Sequence, residues 1–144
     1  MQKKLHALFA IALLWAGMVP AGAQTSPPLP AEIDPTIVEY GAAKERIGAN
    51  LKVALGQCEL QVDAAKAVCI KEARGREKIA LAELDQQRRP SDANARRLAE
   101  TRVAVNYEVA REKCNDRQAD DKAACLSRAS EEESKARAGI KTGQ

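Results

Sequence analysis

The sequence predicts an all-α protein: duplicated helical hairpins, three to four helices in all, clasped by disulfides into an elongated array or a small bundle. Three observations carry that expectation. From Thr36 onward the chain is dominated by Ala, Glu, Lys, Arg and Leu, residues that lose little conformational freedom in a helix. Cys58 and Cys69 enclose ten residues, and Cys114 and Cys125 enclose ten again, 56 positions later. The flanking residues are copied with them: Asn50-Leu51-Lys52-Val53-Ala54 is matched by Asn106-Tyr107-Glu108-Val109-Ala110, and Ala73, Glu77 and Ala80 by Ala129, Glu133 and Ala136. The helical region is expected over residues 36–138, with one repeat at about 43–80 and the second at about 99–136.

Residues 1–23 read as a secretory signal. Lys3 and Lys4 form a basic start, Leu8 to Val19 an apolar core too short to span a bilayer comfortably, and Ala21-Gly22-Ala23 a small-residue cleavage site. Cleavage is expected between Ala23 and Gln24, and no cysteine follows that site to take a lipid. The processed chain would keep no stable membrane anchor, and its destination is expected to be the bacterial periplasm. Processing also removes Trp15, Phe9, His6, Met1 and Met18, leaving two tyrosines as the sole aromatics. Of 23 basic residues, loss of Lys3 and Lys4 leaves 21 against 20 acidic ones, so the precursor's net charge of +3 falls to +1. A chain so nearly neutral, without stacking aromatics, is not expected to bind nucleic acid.

Residues 24–35 contain Pro27, Pro28, Pro30 and Pro35. Proline fixes φ and removes a backbone donor, so this stretch reads as an extended tether. Asp34 is placed to cap a first helix with Pro35 at its first position. That helix carries Ile37, Tyr40, Lys44, Ile47, Leu51, Leu55 and Cys58 at three-four spacing, which makes one apolar stripe. A second helix carries Val62, Cys69, Ile70, Ala73, Ala80, Leu81 and Leu84, and Arg88-Arg89-Pro90 ends it because proline disfavours helical geometry in the residue before it. Ser91 and Asp92 restart the chain as N-caps of a third helix bearing Leu98, Arg102, Val105 and Val109, with Val103, Tyr107, Ala110 and Cys114 beside them. A fourth, starting at Asp120 or Asp121, presents Cys125, Leu126, Ala129, Ala136 and Ile140, and residues 139–144 read as a flexible tail.

The cysteine spacing restricts what the disulfides can join. On one unbroken helix, eleven steps of ~1.5 Å would hold the two Cα atoms roughly 16 Å apart, whereas a disulfide tolerates about 7 Å at most. Two pairings remain. The chain can turn between the cysteines, giving Cys58–Cys69 and Cys114–Cys125, or two continuous antiparallel helices can be joined as Cys58–Cys125 and Cys69–Cys114. Asp63, Asn115-Asp116 and Asp120-Asp121 lie in the gaps, and such side chains start or interrupt helices by bonding the local backbone. They favour the local pairing. Neither gap contains Gly or Pro to compel a turn, so the crossed form stays open.

The pattern Asn106-Tyr107-x-Val109-Ala110-x-x-x-Cys114, ten residues, Cys125, then an Ala/Lys/Glu helix resembles a group of small exported proteobacterial proteins that are Ala- and Lys-rich and carry two cysteine pairs. In that group the gap commonly reads Ser-Gly-Asn-Ala-Lys-Asp-Val before the second cysteine, which looks like a turn entering a helix. Here Lys66 and Lys122 keep the lysine, and the Gly-Asn is absent from both gaps. The resemblance covers roughly Asn50 to Ala136. It implies clasped hairpins and export, and it brings no activity.

Catalytic chemistry finds no foothold. The processed chain has no histidine, so Ser–His and Cys–His nucleophiles are excluded. Gly41, Gly48, Gly56 and Gly75 stand singly in helical text and make no phosphate loop. Carboxylates such as Glu72 with Glu77, or Glu131 to Glu133, are expected as i,i+4 salt-bridge partners. Structural zinc takes cysteines two to four residues apart rather than ten, and copper handling favours the Met and His that processing removes. The expectation is a protein without enzymatic activity, cofactor or metal, having a structural, interaction or stress-protective role through an unknown protein partner or self-association. The alternative is a thiol-redox module cycling one cysteine pair, against which stands the absence of Cys-x-x-Cys.

Overall fold

The structure is a computed structural model that describes residues 35–142. The signal, its cleavage site at Ala23 and Gln24, the tether up to Asp34 and the last two residues lie outside the described part. The described chain is all-α, with four helices: α1 (Pro35–Cys58), α2 (Asp63–Arg88), α3 (Asp92–Cys114) and α4 (Ala119–Thr142). No strand is present among the described residues.

Short connections at residues 59–62, 89–91 and 115–118 fold successive helices back on each other. Each helix packs only on its neighbours in sequence: α1 on α2, α2 on α3, α3 on α4. The four therefore form a row, an opened bundle in which α2 and α3 are internal and α1 and α4 are edges. This topology gathers the 59–62 and 115–118 turns at one end of the row and the Pro90 turn at the other.

The breaks follow local chemistry. α2 stops at Arg88, where the amide of Arg89 still donates to the Asp85 carbonyl at 3.0 Å before Pro90 ends the ladder. Ser91 caps α3 from extended backbone, its Oγ accepting from the Asn94 amide at 3.1 Å. Asn94 Nδ2 closes the corner by donating to the Arg89 carbonyl at 2.7 Å.

Several sequence expectations are corrected at the margins. Val62, expected in the α2 stripe, is instead the residue preceding that helix and is 71% exposed. Ala136 and Ile37 are exposed, because an edge helix buries a narrow face. α4 begins at Ala119, just before the aspartates, and continues through Gly139 to Thr142, so the helix overruns the expected tail. Thr142 Oγ1 donates back to the carbonyls of Ala138 and Gly139 in that last turn.

The buried set is small: Cys58, Ala73, Gly75, Ala82, Val105, Cys114 and Ala129. Among the described residues Cys58 and Cys114 are the largest side chains that are fully buried. Where a larger domain would place many branched aliphatics, this one places alanine, glycine, bridged sulfur and Val105. A core of that kind buries little apolar area at ~25 cal/mol per Å², and covalent closure takes a correspondingly large part in holding the row together.

Candidate functional site

The cysteines form two local disulfides, Cys58–Cys69 and Cys114–Cys125, with Cα separations of 5.5 and 5.7 Å. Each joins the last residue of one helix to the first two turns of the next. The turns they close share two backbone hydrogen bonds at equivalent positions, although Glu59 donates its amide to Leu55 and its counterpart Asn115 to Glu112. Gln61 donates its amide to the Cys58 carbonyl at 3.0 Å, and Arg117, 56 residues on, to the Cys114 carbonyl at 3.2 Å. Lys66 donates to the Val62 carbonyl, and Lys122 to the Gln118 carbonyl. The helix ends at Cys58 and Cys114 and the helix starts at Asp63 and Ala119 are separated by the same interval.

The turns differ in how they reverse and what they display. Asp63 has φ of 50°, the left-handed region that Asp tolerates better than most residues because its short polar side chain bonds locally. It stands where the resembled pattern carries glycine, the residue that adopts this geometry without strain. The first turn displays Leu60 at 87% exposure beside Val62, and an exposed Lys66–Glu59 ion pair of 2.7 Å spans it. The second turn has Asp116 and Gln118 in the corresponding places.

For thiol chemistry the arrangement is guarded. Cys58 and Cys114 are fully buried, Cys69 and Cys125 are partly buried, and no cysteine among the described residues is free. Exchange needs a thiolate that can reach a sulfur in line, and here the helix-end sulfur of each bridge is covered. Among the described residues no group of three or more His, Cys, Asp or Glu is placed to hold a metal ion.

At the opposite end of the row, the Tyr40 hydroxyl donates to Asp85 Oδ1 at 2.6 Å, and the Arg88 guanidinium lies 4.4 Å from the ring centroid. The Asp85 carboxylate, which accepts a hydrogen bond from the phenol, raises the Tyr40 pKa above its usual 10.0. This joins α1 to α2 far from the clasp. The two residues are 45 apart in sequence, and no local pattern announces their contact.

Between α2 and α3 runs a ladder of four ion pairs: Glu72–Lys113 at 2.8 Å, Lys78–Glu108 at 3.1 Å, Glu83–Arg102 at 2.6 Å and Asp85–Arg97 at 3.7 Å. Its antiparallel register corrects the expectation for Glu72, while Glu133 pairs at i,i+4 as expected. Glu72 reaches across to α3, and among the described residues the ion pair at i,i+4 spacing is Glu133–Arg137. Gly75, which in the sequence only stands singly in helical text, lies under Val105 in the same seam.

Fold and cysteines together define an all-α protein of clasped helical hairpins, with disulfides of the kind that belong to an oxidising compartment. No helix among the described residues is long and apolar enough to cross a membrane. No protein-family model, curated protein or solved structure matches the chain.

Proposed function

We propose that the protein is a non-catalytic helical module exported to the bacterial periplasm. In this reading it arose by tandem duplication of one disulfide-clasped hairpin and has a structural, interaction or stress-protective role. The observation that supports this best is the match between the two clasps, which share spacing, helix boundaries and two turn hydrogen bonds at one constant interval. A staple copied together with the hairpin it closes fits a stabilising use of both bridges. A cycling redox centre needs one pair set apart by an accessible, acidified sulfur. The basic and apolar N-terminal sequence supports export, and so does the resemblance to small exported proteobacterial proteins.

Fractionation combined with thiol trapping and a tryptic disulfide map tests the proposal. The expected protein sits in the periplasmic fraction, starts at Gln24 and has no trappable thiol. Its peptide beginning at Val53 is joined to that beginning at Ala67, and the one beginning at Cys114 to that beginning at Ala123. Cytosolic retention would overturn export. A bridge that opens and re-forms with cellular redox state would replace the scaffold reading by the thiol-redox one.

A further inference from the structure

The edge helix α1 carries a face that its counterpart α3 uses for docking. α3 packs on both neighbours through opposite faces. Toward α4 it presents Cys114 and, at ~100° per residue, the residues in line with it: Val103, Tyr107 and Ala110. Toward α2 it presents Arg97, Arg102, Val105, Glu108 and Lys113. α1 occupies the corresponding place 56 residues earlier and packs on α2 through the face of Cys58, Leu51 and Ile47. Its opposite face, bearing Val38, Ala42, Glu45, Ala49, Lys52 and Val53, meets no other helix among the described residues. Val53 corresponds to Val109 and Ala49 to the buried Val105, yet Val53 is 63% and Val38 55% exposed. α1 is also the least charged helix, with five charged residues in 24 against nine to eleven in each of the others. Helices apolar on two sides are ordinarily covered on both.

We infer that this face of α1 pairs with the same face of α1 in a second copy, antiparallel, about a two-fold axis that crosses the helix at the level of Ile47 and Gly48, on the side away from α2. The face is self-complementary in shape and charge. Antiparallel pairing sets Val38 against Gly56 and Val53 against Ala42, large against small as in the seam of Gly75 and Val105. It also brings Glu45 to Lys52 twice, once in each direction, and neither residue makes an ion pair with any described residue of its own chain.

The rival arrangement would extend the row head to tail, α4 of one copy docking on α1 of the next as α2 docks on α3. The same 56-residue interval then turns the four ion pairs of the seam into Arg128 with Gln57, Ser134 with Lys52, Gly139 with Arg46 and Lys141 with Gly41. None joins opposite charges, and Glu131 would take the place of Gly75. Closure into a pair is favoured over an open filament.

The inference rests on the correspondence between the helix pairs, not on export or lack of catalysis, so either reading can fail alone. Sedimentation equilibrium of the oxidised chain starting at Gln24 tests it. A reversible monomer–dimer equilibrium is expected. Val53→Glu, at an exposed position, should weaken the dimer by about tenfold or more. Glu45→Lys should weaken it several-fold, and Glu45→Lys with Lys52→Glu should restore it, a charge exchange that also decides the matter if Val53→Glu disturbs folding. Ala138→Glu on α4 should leave the dimer intact. A monomer at ~1 mM, where even millimolar affinity shows as dimer, would overturn the inference. So would a dimer indifferent to both α1 changes, or one broken through α4.

Discussion

Gly75 on α2 sits against Val105 on α3 so closely that a β-carbon on the glycine would overlap Val105 Cγ1. The contact lies in the seam between the two hairpins, where backbone approach substitutes for large side chains and Val105 is buried. α2 and α3 are joined by no disulfide, so this packing and the ion-pair ladder hold the halves together.

Replacing that glycine tests the seam. Gly75→Ala gains helix propensity of ~1 kcal/mol but overfills a packed contact, which costs about 1–3 kcal/mol. A net loss of about 1 kcal/mol is expected in urea denaturation, with part of it recovered by adding Val105→Ala. Gly41→Ala and Gly48→Ala meet open space and should stabilise by about 0.5–1 kcal/mol. Equal effects at all three sites would contradict the close approach.

The ladder predicts a dependence on ionic strength. Its side chains remain between 36% and 61% exposed, so each pair contributes ~0.2–1 kcal/mol and is screened by salt. Melting temperature should fall as salt rises from low to high concentration. A double-mutant cycle on Glu83→Gln and Arg102→Met should return a coupling of about 0.5 kcal/mol; a coupling of zero would mean the geometry contributes nothing.

Removing one clasp should release one edge. Closing a loop of this length contributes ~3 kcal/mol by restricting the unfolded chain. Cys58→Ala with Cys69→Ala should accelerate amide exchange throughout α1, which touches only α2, while the α2–α3 seam stays protected. The Cys114 and Cys125 pair should do the same for α4. Full reduction should abolish much of the helicity, and an unchanged circular dichroism spectrum and melt would refute the structural role of the bridges.

Tyr40 predicts an alkaline limb to stability. The phenol donates to Asp85, and that bond, with smaller contributions from desolvation and the carboxylate charge, raises its folded pKa above 10.0; Arg88 opposes the shift. The sign follows from linkage: the contribution is complete below the unfolded pKa and is lost as pH climbs through the folded one. Tyrosinate absorbance should show Tyr40 ionising later in the folded than in the unfolded protein. Tyr40→Phe should remove its share of the alkaline loss; an identical pH profile would rule out the Asp85 bond.

Much of this fold was legible in the residues. Ala-rich text, Pro90, and Ser91 as a cap act through neighbours within four positions, so the helices, their ends and the break after Arg88 follow from local rules. The local disulfides were favoured by the aspartates in the gaps but not compelled, because the gaps lack the glycine that would announce a reversal. Asp63 takes that role in one turn with φ of 50°. Periodicity sets Val62 on the α2 stripe because it cannot distinguish a residue on a stripe from one just before it.

By itself the sequence determined an all-α chain, its duplicated cysteine spacing and the turn at Pro90. Only the tertiary structure decided that the chain reverses inside each cysteine gap, that the helices form a row, that Gly75 admits Val105, that Glu72 answers Lys113 rather than a basic residue of its own helix, and that one face of α1 meets no other helix among the described residues. The division has a physical cause. Caps, propensities and short loops are energies of adjacent residues. The seam depends on the relative register of two helices whose contacting residues lie about 12 to 41 positions apart, and many registers satisfy the same stripe until side chains and backbones meet.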